Sequence, residues 1–263
     1  MIGTFFKRTE RFLSKNWFNP FLTFYLNLRS FPFGTAIKFP IFVYGRPKIW
    51  NTTGEIIIES TITSGMITLN KMDPWAPSLM TVQSEFCNAG TITFGGGGSI
   101  GTGTKICVYS KAKMNIGEDF KIADLISIGC QSHICIGKHA FIAHRCQIFD
   151  SDYHYVAYLD KGVIPHQAHP ITIGDDCWIC NSSTITSGAI IPDNTIVASC
   201  SLVNKDFSGT PSNSLIGGIP ARMIHTNVKR VRNREIEKKL HNFFKDNPKE
   251  GMFLLNEDDF YIL

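Results

Sequence analysis

Charge is scarce in this chain, and long apolar runs are scarcer. Of its 263 residues 18% are charged and 43% apolar, which excludes a disordered chain and fits a globular one. The length suits one large domain, or one domain with appendages. The longest uncharged run near the start lies between Lys15 and Arg29 and has 13 residues. A spanning helix needs roughly 18. The opening MIGTFFKRTERFLSKNW interrupts every apolar run with charge and lacks a small-residue cleavage site, so no signal peptide is expected. The expectation is a cytoplasmic protein.

Acidic side chains are nearly missing from residues 1–44. Glu10 stands alone there against Lys7, Arg8, Arg11, Lys15, Arg29 and Lys38. The chain's net charge is +4 and this segment carries +5, so the remainder sums to −1. Low overall charge and the absence of a matching basic motif argue against nucleic-acid binding. A second CxxC is missing beside Cys177 and Cys180, which removes the zinc pattern. The pair also lies inside a repeat instead of a strand–helix redox context. The eight cysteines read as reduced, small, buried or shielded thiols. Histidine is absent before His133.

What the chain does have is a period of six. From Ile173 it reads IGDDCW, ICNSST, ITSGAI, IPDNTI, VASCSL, VNKDF, with aliphatic residues at 173, 179, 185, 191, 197 and 203. The fifth residues of the complete hexads are Cys177, Ser183, Ala189, Thr195 and Ser201, all small. Upstream, Ile136, Ile142 and Ile148 form one set; Ile116, Ile122, Ile128 and Ile134 form another, offset by two. Ile100 and Ile106 form a short third set. Six fits neither helical nor alternating-strand periodicity. It suits short strands joined by tight corners and wound as a solenoid, each coil burying the apolar edge of the next.

The register stops near Ile148 and resumes at Ile171 or Ile173. Residues 153–170, YHYVAYLDKGVIPHQAHP, carry no hexads and read as a loop thrown out of the coil, where function tends to sit. The stretch DSDYH, 150–154, stands at its mouth. The two ends differ again. Residues 1–44 hold 13 aromatic side chains in roughly helical spacing, broken at Pro20. VKRVRNREIEKKLHNFFKD, 228–246, reads as a polar helix with a narrow apolar stripe.

The hexads, the loop after DSDYH, the WIC segment and the ending NSLIGGIPARMI resemble the hexapeptide-repeat acyltransferases, in the branch serving bacterial surface polysaccharides. The resemblance covers roughly residues 40–226 and is most specific at 142–224. It implies an all-β fold: a left-handed parallel β-helix solenoid, usually trimeric, using acetyl-CoA. The expected layout is an aromatic and basic N-terminal helical cap at 1–44, the β-helix at 45–226, and a C-terminal helical tail at 227–263.

His154 aligns with that family's catalytic histidine. Trp178 matches the tryptophan of WIG, with Cys180 in place of the glycine. VASCSLVNKD is similar to VGAGSVVTKD, with Ser199 and Cys200 replacing Ala-Gly, Asn204 replacing threonine, and Lys205 kept. GGIPAR, 217–222, matches the closing motif.

A neutral imidazole can take the proton of a sugar hydroxyl, which then attacks the thioester directly. Asp150, Asp152 or a backbone carbonyl would orient that ring. Asp152 also falls at the fifth place of its hexad, where it would shape the corner. By the resemblance, Lys205 and Arg222 meet the donor's phosphates, and Asn181, Gly188 and Ser199 line the pantetheine arm. His144 and Trp178 are assigned to the acceptor cleft. No metal is expected.

The acceptor is a sugar, nucleotide sugar or lipid-linked saccharide. O-acetylation of capsule, O-antigen or exopolysaccharide is the leading reading. N-acetylation of an amino sugar is the nearest alternative. Metal hydration of the gamma-carbonic-anhydrase kind and a silent scaffold are the remaining ones. His139 and His144 resemble the former family's downstream pair, but its upstream histidine is missing. Residues 1–44 either cap the first coil or rest on the inner face of the membrane; the two are compatible.

Overall fold

The structure is a computed structural model, and it describes residues 17–72 and 82–255. Short strands stack into three parallel faces. The first face runs from Ile41–Val43 through Phe141–Ile142 and Trp178–Ile179 to Ser214–Gly218. The second runs from Lys48–Thr52 through Ser127–Cys130, Gln147–Phe149 and Thr184–Thr186 to Leu202–Val203. The third runs from Glu55–Ile58 through Lys113–Ile116, His133–Ile136 and Ile171–Ile173 to Ile190–Ile191. The chain visits the faces in turn, so the fold is the all-β parallel β-helix expected.

The hexads explain this winding. Ile173, Ile179, Ile185, Ile191, Val197 and Val203 all point inward and are almost fully buried. So are the small fifth residues Cys177, Ser183, Ala189, Thr195 and Ser201. Each aliphatic residue removed from water contributes roughly 1.5–3 kcal/mol, and stacking lets every coil share that surface with its neighbours. The offset between the two upstream isoleucine sets also has a cause. Ile134 and Ile136 are both inward residues of one strand, His133–Ile136, so the register advances by two within it.

Both ends of the stack are covered. The helix Pro20–Ser30 starts at the cap Asn19, whose side chain accepts from the Leu22 N–H at 3.0 Å. Its polar side chains satisfy the open edge strand Ile41–Val43. Asn27 donates to the Ile41 carbonyl at 2.7 Å and accepts its N–H at 3.1 Å, while Thr23 Oγ accepts from the Val43 N–H at 3.0 Å. That strand lies within the 1–44 segment and already pairs with Ile67–Leu69. Residues 1–16, part of the same expected cap, lie outside the described residues.

At the other end Ser214–Gly218 turns into the antiparallel strand Ala221–Thr226, and the helix Arg234–Asp246 follows. The segment between them is pinned to the first face. Arg230 lies over the rings of Phe141 and Trp178, 4.5 and 5.2 Å from their centroids. Arg232 pairs with Asp176, and with Asp119 at 3.5 Å.

Candidate active site

Trp178 pairs with Ile196, 18 residues on, but with Phe141, 37 residues back. The coil between Phe141 and Trp178 therefore carries an insertion of 19 residues. It leaves the helix at the edge between the second and third faces, after Gln147–Phe149 and before Ile171–Ile173. The stack is not interrupted: Gln147 still pairs with Thr184, and Ile134 with Ile171.

Asp150 locks the neck of this loop. It is fully buried, and its carboxylate accepts from the backbone N–H groups of Gln131 at 2.7 Å and Ser132 at 2.8 Å in the previous coil. Its carbonyl accepts from the His169 N–H at 2.9 Å, where the loop returns. Ser151 bridges Ala168 in antiparallel fashion, and the Asp152 N–H donates to the Gln167 carbonyl at 3.0 Å. The corner role expected of Asp152 thus belongs to Asp150. Asp152 lies beyond the Ser151–Ala168 bridge, and its side chain is exposed to solvent.

His154 is exposed two residues beyond the neck. Among the described residues no hydrogen bond or ion pair holds its ring. The residue before it is held firmly instead. Tyr153 has φ +60°, and its backbone N–H donates to Ser151 Oγ at 3.1 Å. Its ring turns back onto the second face, 6.0 Å from Phe149 and 6.1 Å from Tyr109, with the hydroxyl seated over Gly129. Burial of that end, and then the neighbouring Tyr109, push the Tyr153 phenol above its usual range.

The other expected residues divide by position. Gly188 lies at the same edge one coil on, with φ +79°, and its N–H donates to the His169 carbonyl at 3.2 Å. A side chain there would meet little except His169 Cβ, but the backbone conformation favours glycine. Lys205 lies at the same edge one coil further, exposed, with its Nζ 5.0 Å from the Phe207 ring. The loop mouth, Gly188 and Lys205 therefore follow one line down the helix.

His144, Asn181 and Ser199 lie on a different edge, between the first and second faces. Ser199 Oγ donates to Asn181 Oδ1 at 2.9 Å, and the Ser182 N–H donates to the His144 carbonyl at 2.9 Å. Trp178 stands on the first face under Arg230, and Arg222 is exposed in the closing hairpin. Within one chain, then, the structure gathers Asp150, Asp152, His154, Gly188 and Lys205. It separates them from His144, Asn181 and Ser199 by the width of the second face.

Tyr153 and His169 are neighbours of the site that the sequence reading passed over. The signal for Tyr153 was the small residue at the outward position of SIGC, Gly129, which opens a seat on an otherwise filled face. His139, weighed as one of a metal-binding pair, meets Asp176 with Nδ1 at 3.3 Å. Among the described residues no three His, Cys, Asp or Glu side chains gather as a metal site.

No family model matches the chain. Among curated proteins, the provisionally named lipopolysaccharide biosynthesis O-acetyl transferase WbbJ of Escherichia coli K12 is 23% identical over 145 residues. That match covers 52% of this chain and 72% of the relative. Galactoside O-acetyltransferase of the same organism is 37% identical over 78 residues, 29% of this chain and 32% of the relative. The provisionally named colanic acid biosynthesis acetyltransferase WcaF, also from Escherichia coli K12, is 28% identical over 123 residues, 44% of this chain and 60% of the relative. Of the latter two, the chain spans less than two thirds. A crystal structure of a hexapeptide-repeat acetyltransferase of Vibrio cholerae complexed with acetyl coenzyme A is 28% identical. It covers 43% of this chain and 60% of that one, at a TM-score of 0.37. The polysialic acid O-acetyltransferase OatWY is 20% identical over 75% of this chain and 95% of its own, at 0.40. Both scores are low, and these two likenesses carry no argument.

Proposed function

We propose that this relative of the hexapeptide-repeat acyltransferases of bacterial surface-polysaccharide synthesis is an acetyl-CoA-dependent O-acetyltransferase acting on a sugar hydroxyl. The observation that carries the reading is positional. An exposed histidine stands at the mouth of a coil that carries a 19-residue insertion, on the same edge as Gly188 and Lys205. His154 takes the hydroxyl proton, the oxygen attacks the thioester carbon, and coenzyme A leaves as the thiolate. Lys205 supplies a point charge for a donor phosphate, and the backbone at Gly188 lets the pantetheine arm lie close.

The second edge, with His144, Asn181 and Ser199, completes this site if a neighbouring copy brings it against the loop. A homotrimer does so, and velocity sedimentation of the full chain reads it. Capsule, O-antigen or exopolysaccharide precursors on the cytoplasmic side are the acceptors this reading favours. Amino-sugar N-acetylation uses the same base and donor path, and a panel of sugar and amino-sugar acceptors separates the two. The first experiment is calorimetric titration of the full chain with acetyl-CoA, with Lys205→Ala alongside. Micromolar binding weakened by the substitution supports the donor site. A folded chain that binds no acetyl-CoA overturns the proposal.

A further inference from the structure

The capping helix Pro20–Ser30 is inside out. The residues it buries against the β-helix are Thr23, Leu26 and Asn27, and two of the three are polar. Its outward face shows Phe21, Phe24, Tyr25 and Leu28, which follow the i, i+3, i+4, i+7 spacing of a single helical stripe. Phe21 is 80% exposed and Phe24 55%. Phe33, 74% exposed, and Ile37, 51% exposed, extend the patch through the next turn. Single exposed apolar residues are ordinary; a contiguous aromatic stripe on a helix that turns its polar side inward is not.

The inversion has a local cause. An open β edge needs hydrogen bonds, and Thr23 and Asn27 supply them. That requirement uses the helix's polar residues on the inside. It does not explain why the outside is aromatic, because Lys, Glu or Gln would serve an exposed face equally well. The charge around the stripe narrows the choice of what it meets. Between residues 17 and 54 there is no Asp or Glu, while Arg29, Lys38, Arg46 and Lys48 are all exposed. The helix has 11 residues, too few to cross a bilayer. A short helix with an aromatic face and the exposed cations Arg29 and Lys38 beside it matches an anionic membrane surface: the rings enter the headgroup boundary and the cations meet the lipid phosphates.

We infer that the face formed by Phe21, Phe24, Tyr25, Leu28, Phe33 and Ile37, with Arg29 and Lys38, docks the protein on an anionic lipid bilayer. The stripe sits on the end of the β-helix, so docking stands the helix axis on the membrane and leaves the loop edge free along its side. This inference is independent of the acetyltransferase reading.

The test is co-sedimentation of the full chain with two kinds of vesicle. One is phosphatidylethanolamine with phosphatidylglycerol; the other is phosphatidylcholine alone. Binding to the anionic vesicles that weakens with salt is expected, with little on phosphatidylcholine. The double variant Phe21→Ser, Phe24→Ser should lose about tenfold or more in partitioning while its melting temperature and donor binding hold. Arg29→Glu with Lys38→Glu should remove the preference for anionic lipid. A wild-type chain that stays in the supernatant with both vesicles overturns the inference. So does a double variant that binds as well as wild type. If the double variant instead changes the oligomeric state in the absence of lipid, the face belongs to a second copy and the inference also fails.

Discussion

Tyr153 seats its hydroxyl over Gly129, in a place that no side chain at residue 129 could share. Residue 129 points out of the second face between Cys107 and Phe149, so any larger residue there removes the seat. Gly129→Val should evict the ring and release the residue next to His154. The expected result is a tenfold or greater fall in kcat with the coils intact, because the site is outside the core. Tyr153→Phe keeps the ring stacking and should retain most activity; Tyr153→Ala should behave like Gly129→Val. Equal kcat in all three would show that the seat does not position the base.

His154→Ala should keep its melting temperature, since the side chain is exposed and makes no hydrogen bond among the described residues. Turnover should drop by roughly 10²–10⁴, the usual worth of a positioned base. Thiol release from acetyl-CoA in the presence of an accepted sugar measures it. Near-full activity in the variant would dismiss His154 from the chemistry.

Asp150→Asn tests the neck. The carboxylate accepts two backbone N–H groups of the previous coil, and an amide can replace only one of those acceptors without a clash of donors. A loss of about 1–3 kcal/mol is expected in denaturant unfolding. Proteolysis should also cut earlier within 153–170. Unchanged stability would mean that water or a shifted backbone takes over the bonds.

The cysteines give the pH dependence. Burial pushes the Cys177 and Cys130 thiols up to about 12, and those of Cys146 and Cys107 to about 11, from an ordinary value of 9.0. Above pH 9 the unfolded chain loses these protons and the folded chain keeps them. Stability should therefore be intact below about pH 9 and fall progressively as the pH rises toward 11–12. Melting temperatures between pH 7 and 10.5 check the sign. Thiol reagents at pH 8 should reach the exposed Cys200 first and leave buried Cys130, Cys146 and Cys177 untouched.

Cys200 itself sits in the left-handed region at φ +57°, as do Arg145 and Ser182 at the equivalent corners. Cys200→Gly relieves that strain and should raise stability by about 1 kcal/mol. A neutral or destabilising result would show that the side chain compensates for its backbone.

The inward residues were readable from the sequence because one physical requirement repeats: each corner needs a small residue and each strand an aliphatic one. Ile173 through Val203 carry that requirement without a gap. The loop was readable as the place where the requirement lapses. What lay beyond the sequence was anything set by contacts between coils. Nothing in the spacing distinguishes Asp150 from Asp152 as the corner residue, since that depends on which one faces the N–H groups of Gln131 and Ser132. Likewise Asn181 and Gly188 are close in sequence but lie on separate edges, because one strand, Thr184–Thr186, separates the corners. Trp178 was assigned to the acceptor cleft by resemblance, while in this chain Arg230 covers it, and that cation comes from 52 residues further along.

The insertion after Phe149 leaves the ladder on both sides in register, and its two ends are tied by the Ser151–Ala168 bridge. Length in such a closed loop is cheap: each doubling adds only about 0.6 kcal/mol of closure entropy. The β-helix and the loop are thus free to vary separately. A lineage can exchange what protrudes at this socket, or a protein engineer can graft another segment there, and the spool beneath winds as before.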